Sequence, residues 1–256
     1  MARLRRRVRA SLPYARDEWR RSAASRMNDW LAGMDYPLIS VVIPAFNSER
    51  HLAEAIRSVI SQNYSSVEII VIDDGSADRT REVAATFGSA VRYVHQPNGG
   101  IGSARNRGVQ EAGGSVLAFL DSDDVWTPNK LERRLRLLQS RPENEVVFGL
   151  VQQFADRDDG PAELGEPAVW YAASTMIIKR DSFARVGPFR TDVRVGEYID
   201  WYTRAKEAGL RAEVLPELVL RRRIHGENTG IRQRASTSDY ARVLKEALDR
   251  RRRGKL

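Results

Sequence analysis

Residues 67–80 read VEIIVIDDGSADRT. A run dominated by isoleucine and valine passes into two aspartates, a glycine and a polar stretch. Such a short apolar run, with little polar alternation, marks a strand buried on both faces. VEIIVI (67–72) is therefore predicted as a strand ending at Asp73. Gly75 permits a tight turn, and a polar helix is expected from about Ala77 to Phe87.

The same strand, loop and helix pattern extends in both directions. Upstream, LISVVIP (38–44) is a β-branched run ended by Pro44, and Ser48 is a candidate cap for a helix with Leu52, Ala55, Ile56, Val59 and Ile60 on one face. Downstream, VRYVH (91–95) and SVLAFL (115–120) read as strands separated by a helix that opens within GGIGSARNRG (99–108). Thr127 and Pro128 supply a cap and a first-turn proline for a helix through Leu138, and VVFGLV (146–151) reads as a further strand. Buried strands alternating with amphipathic helices predict an α/β fold, a mainly parallel sheet flanked by helices on both faces. Sheets of this kind bind ligands beyond the carboxyl ends of their strands. The polar clusters fall at those ends: Asn47 and Glu49, then Asp73 and Asp74, then Asp121 to Asp124.

The second half is less regular. ADRDDGPAELGEP (155–167) reads as a polar loop and WYAASTMIIKR (170–180) as containing an apolar strand. A short helix is expected at 181–186 and another over GEYIDWYTRAKEAG (196–209). Strand-like stretches at 210–215 and 217–224 precede HGENTG (225–230).

Composition narrows the chemistry. An apolar fraction of 42% over 256 residues supports a real core. With no cysteine, any metal must use oxygen or imidazole ligands, and a reducing cytosol is the expected compartment. The net charge of +8 is confined to the ends: residues 1–26 carry +7 and residues 250–256 carry +5, leaving −4 between them. The high pI is therefore no argument for a nucleic-acid surface on the body, and no nucleic-acid partner is expected. The basic ends suit peripheral contact with an anionic membrane face.

LDSDDVW (120–126) is the strongest cluster. Close carboxylates repel by roughly 4 kcal/mol per pair at an effective dielectric of 20. A divalent cation, Mg²⁺ or Mn²⁺, relieves that repulsion and commonly bridges carboxylates to phosphate; the alternative is a solvated acidic turn. At 71–80, an aspartate at a strand end can accept from an imide N–H or a ribose hydroxyl, the alternative being helix capping by Asp74 or Ser76. QPNGGIGSARNRG (96–108) supplies a glycine loop with Arg105 and Arg107 behind it, arginines able to neutralise a diphosphate. A dinucleotide-binding oxidoreductase would instead place its glycine fingerprint after the first strand, where IPAFNSER (43–50) stands.

Jointly, IPAFN (43–47), VIDDGSADRT (71–80), NGGIGSARNRG (98–108) and FLDSDD (119–124), with Trp126 two residues on, resemble family-2 glycosyltransferases of the GT-A fold. The resemblance covers 38–150 well and most of 170–230 more weakly, through VGPF, GEYIDW and RRRIHGENTG. It implies a Rossmann-like nucleotide-sugar-binding half at 37–150 and an acceptor and catalytic half at 151–230. A basic, partly helical arm (1–36) and a basic helical tail (231–256) flank them. By this resemblance Pro44, Ala45, Asn47 and Glu49 line the nucleotide pocket, and Asp73 or Asp74 binds the base, uracil by family habit. Arg105 sits near the donor, Asp121 lies on the ribose side, Ser122 belongs to the nucleotide-sugar pocket, and Asp123 with His225 holds Mn²⁺ or Mg²⁺, the alternative for His225 being an ordinary surface histidine.

The implied reaction is a metal-assisted, inverting displacement from a nucleotide sugar. The acceptor is left open among a glycan, a lipid-linked sugar, a peptide side chain and a small metabolite. The family's usual Glu-Asp pair reads Glu197-Tyr198 here. With a reference pKa near 10, only about one phenol in a thousand is ionised at pH 7. Glu197 is thus the leading candidate base and Asp200, one helical turn on, the second. The alternative is a catalytically weak or silent nucleotide-binding relative.

Overall fold

The computed structural model describes residues 36–157, 160–226, 228 and 237–253; the arm expected at 1–36, apart from Tyr36, lies outside them, as do the tail residues 231–236 and 254–256. The chain divides into two compact units, Met1–Tyr36 and Pro37–Leu256, and every element below belongs to the second.

Strands β1 (Ile39–Ala45), β2 (Val67–Asp73), β3 (Val91–His95) and β4 (Val116–Phe119) pair in parallel in the order β3-β2-β1-β4. Helices α1 (Leu52–Ile60), α2 (Thr80–Ala85) and α3 (Ile101–Glu111) connect them. The sheet continues through β8 (Ile177–Lys179), β6 (Val146–Arg157), β9 (Ala212–Arg223) and the short β5 (Val125–Trp126). In this half β4–β8, β8–β6 and β9–β5 are antiparallel and β6–β9 is parallel. Helices α4 (Lys130–Ser140), α5 (Arg180–Val186), α6 (Glu197–Glu207) and α7 (Thr237–Arg253) complete the unit.

The unbroken apolar strands follow from two separate cores. Val41 and Ile43 face Leu52, Ile56 and Val59 of α1 and Leu131 and Leu135 of α4. Val42, Ile70 and Ile72 face Ala104 of α3, Phe183 of α5 and Trp201 of α6. Because successive residues of a strand point to opposite faces, both sets must be apolar.

Several local expectations are corrected. Residues 155–167 are not a loop: β6 runs to Arg157 and turns into β7 (Gly160–Val169), pairing Asp156 with Pro161 and Gln153 with Leu164. As β7 pairs only with β6, its side chains stay mostly exposed and its composition can be polar, with Pro161 tolerated at the edge. Gln152 stabilises the register shift there by donating to the carbonyls of Leu164 and Gly165 at 3.2 and 2.8 Å. The two expected strands at 210–224 are one, β9. Helix α2 is shorter than expected because Ala77, Asp78 and Arg79 are hydrogen-bonded to the loop after β1. Helix α4 starts after Asn129, and Thr127 donates its hydroxyl to Leu218 O rather than capping. Ser48 caps α1 with its backbone carbonyl, which accepts from Leu52 N–H at 3.0 Å, not with its side chain. No helix among the described residues is long and apolar enough to cross a membrane.

Candidate active site

The loops leaving β1 and β2 are laced together at the carboxyl edge of the sheet. Asn47 N–H donates to Ser76 Oγ at 2.9 Å, Ser48 N–H to Thr80 Oγ1 at 2.8 Å and Glu49 N–H to Asp78 Oδ2 at 3.0 Å. In return, Asn47 Oδ1 and Glu49 Oε2 accept the N–H groups of Ala77 and Arg79. Asn47 takes a left-handed backbone (φ 49°), which asparagine tolerates better than most residues. Pro44 and Ala45 lie buried in β1 beneath this rim, while Asn47 and Glu49 are exposed on it.

Asp73 and Asp74 are buried, and their carboxylates serve the protein. Asp73 accepts from Ser76 N–H at 2.8 Å and from the Tyr93 hydroxyl at 2.6 Å. Burial and that hydrogen bond hold the Tyr93 phenol protonated. Asp74 accepts from Gln96 Nε2 at 2.7 Å and from the Gly99 and Gly100 N–H groups at 2.9 and 2.8 Å. It therefore ties the tip of β2 to the glycine loop that opens α3. Both carboxylates thus brace the loops of the rim, whatever share they also take in holding a base. The capping alternative holds in altered form, since Asp74 secures the approach to a helix distant in sequence.

The turn after β4 separates its carboxylates. Asp121 Oδ1 accepts from Arg105 Nη2 at 2.7 Å, and Ser122 Oγ lies 2.7 Å from Ser48 Oγ. Asp123 Oδ2 meets His225 Nε2 at 3.0 Å and accepts from Asn228 Nδ2 at 3.1 Å. Asp124 is buried and accepts from Arg223 N–H at 2.9 Å. Burial raises the Asp124 carboxyl well above its ordinary range, reinforced by the charges of Asp123 and Asp121. At Asp123 burial pushes the same way, but the hydrogen bond and charge of His225 outweigh it and lower the carboxyl. The three carboxylates of the turn are thus differently engaged: Arg105 pairs with Asp121, burial raises the Asp124 carboxyl, and Asp123 lies beside His225, the pair implied by the resemblance. Among the described residues no group of three or more acidic or histidine side chains is placed to hold a metal by itself.

Arg105 is the hub. It is 4% exposed, and while Nη2 holds Asp121, Nη1 donates to Glu197 Oε1 at 2.6 Å. Its burial opposes the charge, but the two carboxylates more than offset this and raise its affinity for the proton. The face of Phe189 lies 5.7 Å from the guanidinium. Arg105 therefore joins the tip of β4 to the first residue of α6.

Asp200 is not brought to this cleft. Its carboxylate accepts from Arg204 Nε at 2.8 Å and from Arg250 Nη1 at 3.4 Å, with Arg190 Nη1 at 3.9 Å. Tyr198 is buried among Phe189, Trp201 and Tyr202, and burial raises its phenol well above the ordinary value. It stays protonated and is no base.

Two neighbours were missed from sequence. The ring of His51 lies 5.2 Å from that of His225 and so faces the Asp123 group; Asn228 also accepts from His225 N–H at 2.7 Å. His51 follows directly on IPAFNSER at the helix start, and that position was the available signal.

Comparison with known proteins agrees with this architecture. An "Uncharacterized glycosyltransferase RP339" of Rickettsia prowazekii is 28% identical over 211 residues, 75% of this chain and 66% of the relative. The glycosyltransferase GlyG of Streptococcus pneumoniae is 36% identical over 127 residues, 48% of this chain and 42% of GlyG. Among solved structures, S. aureus TarS 1–349 in complex with UDP-GlcNAc superposes with a TM-score of 0.68 at 20% identity, covering 82% of this chain and 65% of that one. That likeness establishes the GT-A fold. The chain spans just under two thirds of the length of RP339 and of this TarS fragment. Residues 40–193 match the family described as Glycosyl transferase family 2, and the chain belongs to that family.

Proposed function

We propose that this protein transfers a sugar from a nucleoside diphosphate sugar, a UDP-sugar in the first instance, to an acceptor nucleophile with inversion at the anomeric carbon. The observation that carries the reading is the Arg105 bridge, which ties Glu197 to Asp121 at the edge where the β1, β2 and β4 loops meet. The similarity to a structure holding UDP-GlcNAc supports the choice of donor.

Glu197 is assigned as the base. Arg105 occupies Oε1 and fixes the carboxylate, leaving Oε2 to accept the acceptor's proton as the acceptor oxygen bonds to the anomeric carbon. The bond from that carbon to the diphosphate breaks, and the nucleotide leaves with the electron pair. Asn47 and Glu49 form the exposed rim against which the nucleoside rests. Asp73 and Asp74 act as positioning residues that shape the loops below. Asp121 and Ser122 form the ribose side, with Ser122 linked to the β1 loop through Ser48.

The donor set beside Asp123 fits a divalent cation. One carboxylate and one imidazole meet at 3.0 Å and both are partly exposed, suiting Mn²⁺ or Mg²⁺ whose other ligands are phosphate oxygens and water. When bound, such an ion supplies positive charge to the departing diphosphate.

The test is a panel of UDP-, GDP- and TDP-sugars with Mn²⁺, reading nucleotide release by mass spectrometry. Glu197→Gln should abolish transfer and leave nucleotide affinity nearly intact. Normal turnover in that variant removes Glu197 from the mechanism. Donor binding by the wild type without release from any sugar would favour a silent, nucleotide-binding scaffold.

A further inference from the structure

Helix α7 lies beyond the part of the chain that matches the family, yet it is firmly docked. Val243 and Ala247 are buried, and Tyr240 and Val243 pack on Gly196, the residue before Glu197. Glu246 pairs with Arg190 at 2.8 Å, Arg250 with Glu207 at 2.9 Å, and Asp239 accepts from Arg194 N–H at 2.7 Å.

This docking leaves the adjoining side of the helix uncovered. Tyr240, Leu244 and Leu248 follow one another at four-residue spacing and are 37%, 52% and 53% exposed. At about 100° per residue they form a single stripe, with Arg251 continuing it and Lys245 and Arg252 along one flank. Two of the helix's acids, Glu246 and Asp239, are turned into the body by the contacts above. Asp249 reaches Arg252 only at 4.0 Å. The exposed side therefore combines apolar side chains with Lys245, Arg251 and Arg252, while Arg253 lies further round the last turn and Lys255 follows in the sequence.

We propose that this face of α7 seats on an anionic lipid bilayer. Leucines a turn apart enter the acyl boundary while the flanking cations meet the headgroups, as in interfacial amphipathic helices. An apolar surface alone would fit many occupants; the excess of exposed cations beside it selects an anionic one. Since the stripe begins at Tyr240, beside Gly196 and Glu197, seating brings the candidate cleft close to the membrane surface.

The test is sedimentation of the full chain with vesicles of phosphatidylcholine alone or mixed with phosphatidylglycerol, at low and high salt. Binding is expected to the mixed vesicles only, and to weaken with salt. Leu244→Ser with Leu248→Ser should lower partitioning about tenfold or more. Arg251, Arg252 and Arg253 changed together to Gln should lower it roughly 100-fold. Both variants should keep the wild-type melting temperature and UDP–Mn²⁺ affinity, which separates this inference from the donor reading. Absence of wild-type binding overturns it. So does undiminished binding by the leucine variant, which would locate lipid contact elsewhere in the chain. A wild-type dimer that dissociates in the leucine variant, with no vesicle binding, would identify a second copy as the occupant instead.

Discussion

Arg105 of α3 and Glu197 of α6 meet at 2.6 Å although 92 positions separate them, and both side chains are largely withdrawn from water. Breaking a buried pair by removing one partner is costly, about 3–5 kcal/mol, because the remaining charge is left unpaired. Arg105→Gln strands two carboxylates, Glu197 and Asp121, and should destabilise the protein by about that amount in urea unfolding.

The same variant tests how Arg105 acts. As a positioning residue it should affect turnover far more than donor binding: kcat falling about 100-fold or more, donor KM within threefold. Arg105→Lys retains the charge but cannot fork to both carboxylates. It should recover much of the stability and little of the turnover. Wild-type kcat in Arg105→Lys would show that the bridge is structural only.

Asp200 presents the opposite case. Sequence spacing makes it a second base, whereas its carboxylate lies among Arg190, Arg204 and Arg250. Asp200→Asn leaves three cations without their shared anion and should cost about 2–4 kcal/mol. Turnover per folded molecule should stay within threefold. A selective loss of kcat at unchanged melting temperature would restore Asp200 as a base.

These contrasts show what the sequence could carry. The parallel half was legible because its inner strands β1, β2 and β4 are short apolar runs leading into polar residues, and both cores demand that pattern. The β6–β7 hairpin was not, since an edge strand exposed on both faces has no reason to look apolar. Placement of Glu197, Asp121 and Asp123 at one edge followed from the strand ends and the family motifs. The Arg105 bridge did not, because only the folded sheet sets its approach to Glu197, whereas the family motifs already paired Asp123 with His225. The protein partners of Asp73 and Asp74 were not legible either, because an acid pair at a strand tip looks the same whether it meets a ligand or the N–H groups of a neighbouring loop.

Acid should loosen one anchor of α7. The Arg190 guanidinium, which also holds Glu246, hydrogen-bonds Asp192 and lowers its carboxyl to about 2. A depressed folded-state value means that the stabilisation is present above the unfolded value near 3.8 and is lost as pH falls through about 2. Asp192 is 57% exposed, so solvent screening limits the contribution to less than about 1 kcal/mol. Asp192→Asn should therefore lower the melting temperature slightly at pH 6, with the difference from wild type vanishing near pH 2. A difference that persists or grows in acid would assign the effect to packing.

Divalent cation should strengthen nucleotide binding through Asp123 and His225, and through no other carboxylate of the turn. Asp124 is buried against the Arg223 backbone, and the charge of Asp121 is already balanced by Arg105 at Oδ1, so neither is expected to be an ion ligand. UDP with Mn²⁺ should raise the wild-type melting temperature, since a ligand bound only to the folded state stabilises it by mass action. Asp123→Asn and His225→Ala should each weaken UDP–Mn²⁺ affinity by about 10-fold or more in calorimetry, as expected for loss of one metal ligand or its support. Affinity for UDP measured in a chelator should stay unchanged in both. Asp124→Asn keeps an oxygen for the Arg223 N–H and should leave both affinities at wild-type levels. Equal weakening in the presence and absence of metal would show that Asp123 and His225 shape the pocket without holding an ion.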